Sequence, residues 1–202
     1  KRVGTKNLSG GILYSKKPTK GRVYNVEDVY GENFIKEAPL ERKITKYFLH
    51  STSKEKISSM DLTLAHEYQS NFGYSVLLNK LNSWFANQAA ESAEKNGGGI
   101  VSGVHVKNIT WQNGREKTII ETDEWEEIEV KAVIAADGVN SEVAEITGAR
   151  SKFLSQQLYQ GVKVIVKLPE EIIEKHFDIN SDEGTAHLFA GDVTLNHIGG
   201  GF

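Results

Sequence analysis

Two short segments of this 202-residue chain carry residue types that could bind an anionic or hydroxyl-bearing ligand. The first is Asp137-Gly138, with Ser141 close behind, at the end of the small and apolar run 132–136. A buried strand that stops at a tight turn would place the Asp137 carboxylate and bare backbone N–H groups at the carboxyl end of a sheet, where open α/β sheets hold ligands. Asp137 could accept hydrogen bonds from a hydroxyl, and Ser141 or the N–H groups of a helix start could stabilise an anion.

The second segment is Ser9-Gly10-Gly11, near the amino end of the chain. Glycine has no Cβ, so the backbone there can approach a planar ring or a phosphate closely. A flexible loop is the alternative for these glycines, and a plain turn with Ser141 capping a helix is the alternative for the Asp137 corner. If both segments bind a ligand, we expect them to converge on one crevice.

The composition excludes several other kinds of site. The 24 Lys and Arg residues against 27 Asp and Glu leave no basic surface for nucleic acid. The absence of cysteine excludes disulfides, thiolate zinc sites, bound iron–sulfur clusters and cysteine nucleophiles. The six histidines show no i, i+4 or H-x-H spacing, so no metal site is predicted. The apolar runs are strand-sized, which predicts no membrane-spanning helix and a cytoplasmic protein.

Apolar periodicity predicts a mixed α/β fold that positions the two segments. The clearest helix spans 75–95, where apolar residues from Leu77 to Ala89 form one stripe and Trp84 belongs to the core. Three glycines from Gly97 end this helix.

Shorter runs bounded by turn residues predict the other elements. The strands are 42–50 and 57–64, which form a hairpin, 100–106, the three-stranded β-meander 107–111, 117–122 and 127–132, the buried strand 132–136, and 158–168, 185–190 and 196–202. The shorter helices are 26–36, 141–147 and one that Pro169 opens.

The motifs taken together resemble one flavoprotein family. Residues 4–11 are similar to its G-x-K-N-x-[ST]-G-G loop, and 134–141 to its D-G-x-x-S segment. The likeness continues in order at 74–77, 161–163, 168–170, 182–184, 188–191 and 199–202. Over essentially its whole length, the chain resembles the FixC-type FAD-dependent dehydrogenases. These group with the electron-transfer-flavoprotein:quinone oxidoreductases and the geranylgeranyl reductases.

The resemblance implies an FAD-dependent oxidoreductase that passes electrons from an electron-transfer flavoprotein to quinone or a ferredoxin-like acceptor. Its cofactor-binding residues would be Lys6, Asn7, Ser9, Gly10, Gly11, Asp137, Gly138 and Ser141. The flavin would carry the redox chemistry, so no catalytic side chain is assigned. Contact with the inner face of the membrane would be peripheral.

The resemblance also implies a division of the chain, as the central fragment of a longer protein. Residues 1–25 would form the flavin-proximal loop region, 26–74 the first part of a β-rich substrate domain, 75–153 part of an FAD-binding Rossmann-like domain, and 154–202 further substrate-domain strands. The chain contains no G-x-G-x-x-G or Walker loop. The pyrophosphate loop would therefore precede Lys1, and the fragment alone would lack activity and bound FAD.

One departure from the family pattern keeps alternatives open. Family members usually carry an arginine, on the helix that faces the FAD, where this chain has Leu78, and often an aspartate where it has Asn82. A non-catalytic binding or scaffold protein that keeps the fold without FAD is one alternative. A geranylgeranyl-reductase-like flavoprotein that reduces isoprenoid double bonds is the other.

Overall fold

The computed structural model describes residues 3–4, 10–14, 16–19, 22–31, 33–65, 73–112, 114, 117–158, 161–195 and 197–201. The chain divides into two compact units. Residues 93–161 form one, which we call the meander unit. The described residues of 2–92 and 162–202 form the other, which we call the sheet unit. The mixed α/β class predicted from the sequence is confirmed, since both helices and sheets are present.

The sheet unit is built on six strands in the order β1-β6-β4-β10-β11, with β5 paired to β4 off this path. The strands are β1 (Gly10–Tyr14), β4 (Leu40–Thr52), β5 (Ile57–Asp61), β6 (Gly73–Leu77), β10 (Glu183–Gly191) and β11 (Ile198–Gly201). Only β4 and β10 run parallel among these pairs. A separate two-stranded sheet joins β2 (Lys16–Thr19) to β3 (Arg22–Asn25). The predicted hairpin of β4 and β5 is confirmed.

The helices of the sheet unit cover part of this sheet. They are α1 (Val26–Tyr30), α2 (Phe34–Glu37), α3 (Leu78–Lys95), whose last turn is counted with the meander unit, and α5 (Glu170–Phe177). One core cluster joins Phe34, Ala38, Val76 and Leu81 to half-buried neighbours that include Trp84, which confirms the core position predicted for that tryptophan. A second cluster joins Ile44, Tyr47 and Ala186 across β4 and β10.

The meander unit contains β7 (Val106–Gln112), β8 (Lys117–Thr122) and β9 (Ile128–Val130), paired antiparallel in sequence order. A short helix α4 (Glu142–Ile146) and a 3-10 turn at Ser155–Gln157 follow. The predicted three-stranded meander is therefore confirmed. Ile109 and Ile119 are buried within it.

The predicted start of the long helix is wrong by three residues, because 75–77 belong to β6 and α3 begins at Leu78. The Ser75 side chain explains the difference. Its Oγ accepts from the Arg42 N–H at 3.1 Å and donates to the Arg42 carbonyl at 3.2 Å, beside an irregularity in the pairing of β4 with β6. The far end of α3 is as predicted. Gly97 has φ +76°, and the Gly98 N–H donates to the Ala93 carbonyl at 2.8 Å.

Three predicted strands are absent from the described part of the chain: 100–106 up to the first residue of β7, 132–136, and the described residues of 158–168. Ile134 is 92% exposed and Val162 is 87% exposed, so neither apolar run is buried as predicted. A strand needs a neighbour to satisfy its backbone N–H and C=O groups. No described strand of the chain pairs with these runs.

Truncating Ile44 to alanine is expected to lower the free energy of unfolding by about 2–5 kcal/mol, because a buried side chain is replaced by a cavity. Ile44 is 1% exposed at the junction of β4 and β10. The matched control is Ile57→Ala on β5, where the isoleucine is 67% exposed and a change of about 0.5 kcal/mol or less is expected. Urea denaturation measures both, and equal losses in the two variants would contradict the assigned core.

Candidate functional site

The Asp137 corner is a turn held by its own side chains. The Val143 N–H donates to Asp137 Oδ2 at 2.9 Å, so the carboxylate caps the start of α4. Ser141 makes no side-chain capping bond to the helix; its hydroxyl donates instead to the Gly138 carbonyl. The alternative in which Ser141 caps the helix is therefore wrong, and Asp137 has that structural role. Asp137 is nevertheless exposed, which leaves its carboxylate accessible to a ligand.

The backbone of the corner depends on two left-handed residues. Gly138 has φ +75° and Ser141 has φ 43° and ψ 51°. For a residue with a side chain this conformation costs about 1–2 kcal/mol. Arg150 supports the turn by donating from Nη2 to the carbonyls of Asn140 and Ser141 and to Glu145 Oε1 at 2.9 Å.

Arg150 is a supporting residue that the sequence analysis missed. Its guanidinium also lies over the Phe153 ring, 4.0 Å from the ring centre, so the side chain is held in place by both packing and hydrogen bonds. No spacing rule points to it, because its partners are mainly backbone carbonyls. The corner is thus preorganised by contacts within the meander unit.

A groove of about 360 Å³ lies beside the corner in the same unit. Ile109, Trp111 and Thr118 of the meander form one side. The other side is formed by Lys131, Ala132, Val133 and Ala135. Val143 of α4 and Thr147 at the end of that helix complete the lining. Val143, whose N–H donates to Asp137, is therefore also part of the groove wall. This volume is within the range of small-molecule pockets.

The glycine pair lies at the start of β1 in the sheet unit. Gly10 pairs with Leu77 and Gly11 with Val76. Leu77 is followed directly by the first residue of α3, so the glycine pair and the start of that helix come together. Space next to Gly11 is open, since a Cβ built there would meet nothing within 4 Å. Three predicted site residues, Lys6, Asn7 and Ser9, lie outside the described residues.

Gly4, the first glycine of the same motif, has a clear packing role. It is buried, has φ +84°, and a Cβ built on it would lie 2.6 Å from the Asn79 carbonyl oxygen. The Ser83 hydroxyl donates to the Val3 carbonyl at 2.7 Å. Only glycine satisfies both the backbone angle and the close approach here, and Val3 and Gly4 are held against the first turns of α3.

Leu78 occupies the first turn of α3 as a packing residue. Its half-buried side chain packs against the core cluster that contains Phe34, Val76 and Leu81. The apolar side chain at this position is therefore accommodated by apolar neighbours.

The structure also brings together two histidines whose sequence spacing suggested no shared site. His50 Nε2 and His187 Nδ1 are 2.8 Å apart, although 137 residues separate them. Their outer nitrogens contact hydroxyls: His50 Nδ1 lies 2.8 Å from Ser59 Oγ, and His187 Nε2 lies 3.1 Å from Thr185 Oγ1. Burial, together with the neighbouring His50, lowers the pKa of His187 below its ordinary value.

A signal for this pair was present in the strand pattern. The segments Phe48-Leu49-His50 and His187-Leu188-Phe189 are mirror images, and in a parallel pair alternate residues share a face. The register places Phe48 opposite His187 and His50 opposite Phe189. Spacing rules for metal sites examine neighbours along the chain, so they miss such a contact. Among the described residues, no group of three or more His, Cys, Asp or Glu is placed to hold a metal ion.

With the geometry established, the chain can be compared with known proteins. No family model matches it. FixC of Escherichia coli O157:H7 is 34% identical over 201 residues, which are 99% of this chain and 44% of that protein. FixC of Salmonella typhi is 33% identical over the same shares of the two chains. The probable electron transfer flavoprotein-quinone oxidoreductase YdiS of Escherichia coli K12 is 30% identical over 99% of this chain and 43% of that protein.

The chain is therefore similar both to proteins named FixC and to probable electron transfer flavoprotein-quinone oxidoreductases. The similarity to FixC extends over nearly all of this chain, and the resemblance predicted from the motifs is confirmed. The chain spans less than half the length of these relatives. None of the helices in the described ranges is both long and apolar enough to cross a membrane.

Replacing Asp137 with alanine is expected to destabilise α4 by about 1 kcal/mol, because the Val143 N–H loses its acceptor. Asp137→Asn is the matched control, since its amide oxygen can still accept that bond. Hydrogen exchange of the amides from Val143 to Thr147 measures the effect. Faster exchange in Asp137→Ala with little change in Asp137→Asn is expected; equal exchange in the wild type and Asp137→Ala would show that the carboxylate does not cap the helix.

Proposed function

We propose that this chain is the central part of an FAD-dependent oxidoreductase of the FixC kind. Electrons would come from an electron-transfer flavoprotein and pass to quinone or a ferredoxin-like protein. The observation that carries the proposal is the similarity to FixC and to YdiS along 201 of the 202 residues. The protein would be cytoplasmic, with peripheral contact at the inner face of the membrane.

The chemistry of the Asp137 corner fits part of such a cofactor. An exposed carboxylate beside a glycine-dependent turn can accept hydrogen bonds from the hydroxyls of a dinucleotide. Its Oδ2 is already oriented by the Val143 N–H, so the acceptor is held in place before a ligand arrives. Gly138 and Ser141 would supply the turn, and the bound flavin would supply the electron-transfer chemistry.

The family motif also assigns the amino-terminal loop to cofactor binding. Gly10 and Gly11 begin a strand beside the start of α3, and the open space at Gly11 suits close approach by a planar ring. Lys6, Asn7 and Ser9 are assigned to the site through the family motif alone. Gly4, the first glycine of that motif, packs against Asn79 near the start of α3.

We assign the domains in line with this function. Residues 75–153 would belong to an FAD-binding Rossmann-like domain, with 1–25 as its flavin-proximal loop. Residues 26–74 and 154–202 would belong to the substrate domain. The pairing of β4 with β10 supports the last assignment, because it joins these two segments in one sheet.

Leu78 favours one competing function, a scaffold protein that keeps the fold without FAD. An apolar side chain packed on the core cannot replace a cationic group that contacts an anionic cofactor.

Reduction of isoprenoid double bonds is the alternative activity within the enzyme family. A flavoprotein that oxidises no electron-transfer flavoprotein but saturates an isoprenoid would support that alternative.

The protein expressed from its complete gene is expected to purify yellow, with an absorbance band near about 450 nm from oxidised flavin. Asp137→Ala should weaken FAD binding by about tenfold or more, because a hydrogen bond to a charged acceptor contributes about 1.5–3 kcal/mol. Titration of the apoprotein with FAD measures the dissociation constant.

The control for this titration is Asp123→Ala. Asp123 lies in the same unit and also accepts a backbone N–H, that of His105 at 2.8 Å, so its removal tests for general destabilisation. An unchanged dissociation constant is expected for this control. A folded, colourless full-length protein that takes up no FAD would overturn the flavoenzyme proposal and support the scaffold.

A further inference from the structure

The hydrogen-bonded chain Ser59–His50–His187–Thr185 has a direction, which its buried end determines. Thr185 Oγ1 lies 3.3 Å from the Lys46 carbonyl oxygen, and a carbonyl can only accept. The Thr185 hydroxyl therefore donates to Lys46 and accepts from His187 Nε2–H at 3.1 Å. His187 Nδ1 is then the unprotonated nitrogen, and it accepts from His50 Nε2–H at 2.8 Å.

This direction leaves one basic nitrogen at the outer end of the chain, His50 Nδ1. The exposed Ser59 hydroxyl donates to it at 2.8 Å and can rotate to accept instead. A proton can therefore be added at His50 Nδ1 without breaking any other bond of the chain. A further proton on His187 Nδ1 would oppose two N–H donors across 2.8 Å, so the two rings together take up only one proton beyond their two Nε2–H protons.

Aromatic packing keeps both imidazoles in this arrangement. The two ring planes are 6° from parallel and their centroids are 5.1 Å apart, so the rings lie edge to edge along the hydrogen bond that joins them. Phe48 stacks on His187 at 5.0 Å, and Phe189 stacks on His50 at 4.6 Å. Phe177 of α5 packs against His187 at 5.4 Å. Ring rotation that would exchange the nitrogens is therefore opposed from both strands and from the helix.

The charged groups on the elements around the pair are mostly neutralised by each other. Lys46 of β4 forms an ion pair with Asp178, at the end of α5, at 3.1 Å. Arg42 of β4 pairs with Glu174 of α5 at 3.2 Å. Asp61 of β5, opposite Phe48, accepts the Thr63 N–H, and its bonds to Thr63 lower the pKa of its carboxyl.

Lys175 and His176 are exposed and precede Phe177 on α5. β11 places Gly201 opposite His187 and so contributes no charge there. The position of the added proton is therefore determined mainly by the hydrogen bonds that run from Ser59 to Thr185.

We propose that His50 and His187 form a proton-exchange site on the sheet unit, which delivers one proton from His50 Nδ1 to a carbonyl oxygen of a quinone. The identity of the ligand rests on the function proposed above. Reducing a quinone to a quinol adds two electrons and two protons, whereas a ferredoxin-like protein takes up electrons only. A site built to take up one proton therefore favours the quinone of the two acceptors.

The reduction of the quinone balances when a reduced cofactor supplies two electrons and one of the two protons. The second proton comes from His50: its Nδ1–H bond breaks, an O–H bond forms on the quinone oxygen, and the imidazole becomes neutral. Water restores the proton at the exposed Ser59 end. His187 is a positioning residue, because it holds His50 in the tautomer whose Nδ1 faces outward.

The first test is nitrogen-15 NMR of the histidine side chains across pH 5–8 on the 202-residue chain, with the exposed His176 as internal reference. At the upper end of this range, both His50 and His187 should be Nε2–H tautomers. As the pH falls, the pair should take up one proton, at His50 Nδ1. An Nδ1–H tautomer of neutral His50, or two fully protonated rings by about pH 5.5, would overturn the proton site.

The second test uses the complete enzyme with two acceptors. His50→Phe keeps a ring against Phe189 and removes the proton donor, so reduction of a short-chain ubiquinone should fall about 100-fold at pH 7. Reduction of ferricenium, which takes one electron and no proton, should not change. His50→Gln checks the result in a variant without a large ring, and His176→Phe on the exposed face of α5 is the matched control.

His187→Phe tests the positioning role, because it keeps the stack with Phe48 and removes the acceptor for His50 Nε2–H. Its pH profile for quinone reduction should shift relative to the wild type, while ferricenium reduction stays the same. An unshifted profile would show that His187 does not position His50.

The outcomes separate this inference from the proposed function. If His50→Phe reduces the ubiquinone as fast as the wild type, the proton site is overturned and the flavoenzyme stands. If the wild type reduces ferricenium and no quinone, the assignment of quinone as the ligand is overturned. If the full-length protein binds no flavin, the proposed function fails, and the NMR titration alone decides whether the pair takes up a single proton.

Discussion

The parallel pairing of β4 with β10 is the interaction on which the sheet unit depends. It joins two segments far apart in sequence along nine register pairs from Glu183 to Gly191. The second core cluster forms on one face of this pair, where Ile44 and Tyr47 meet Ala186. The histidine chain forms on the other face. Without the pairing, neither the core nor the histidines would have their partners.

Strand β4 also organises its other side. Its first half pairs with β6 and its second half with β5, and the Ser75 side chain satisfies the backbone of Arg42 beside the irregularity in the β6 pairing. Because β6 leads directly into α3, the pairing of β1 with β6 places the first turn of the helix beside Gly10. β4 thus holds the strand that connects Gly10 to this helix.

The meander unit shows how one side chain can support a turn and remain open to a ligand. Asp137 caps α4 through Oδ2, and Arg150 holds the carbonyls that follow, so the left-handed residues of the corner are stabilised locally. The same local contacts give the corner its shape. A structural carboxylate and a cofactor ligand are compatible functions of Asp137, because Oδ2 accepts the Val143 N–H while the side chain remains exposed.

The sequence alone determined the features that depend on neighbours along the chain. Turn glycines, the carboxyl end of α3, the β4–β5 hairpin and the meander follow from local periodicity and backbone preference, and the ordered motifs were enough to recognise the FixC relationship. The run 132–136 and the described residues of 158–168 were wrongly predicted as strands. Their apolar residues indicate only that they could pair, and no described strand supplies the partner.

Only the tertiary structure decided which distant residues meet. His50 and His187 come within hydrogen-bond distance because the parallel register sets alternate side chains of β4 and β10 on one face. A tertiary contact also explains why Ser75 lies in a strand and not in the predicted helix. Its hydroxyl bonds to the backbone N–H and carbonyl of Arg42 on the neighbouring strand. Contacts of this kind depend on pairing across long loops, which local sequence patterns do not encode.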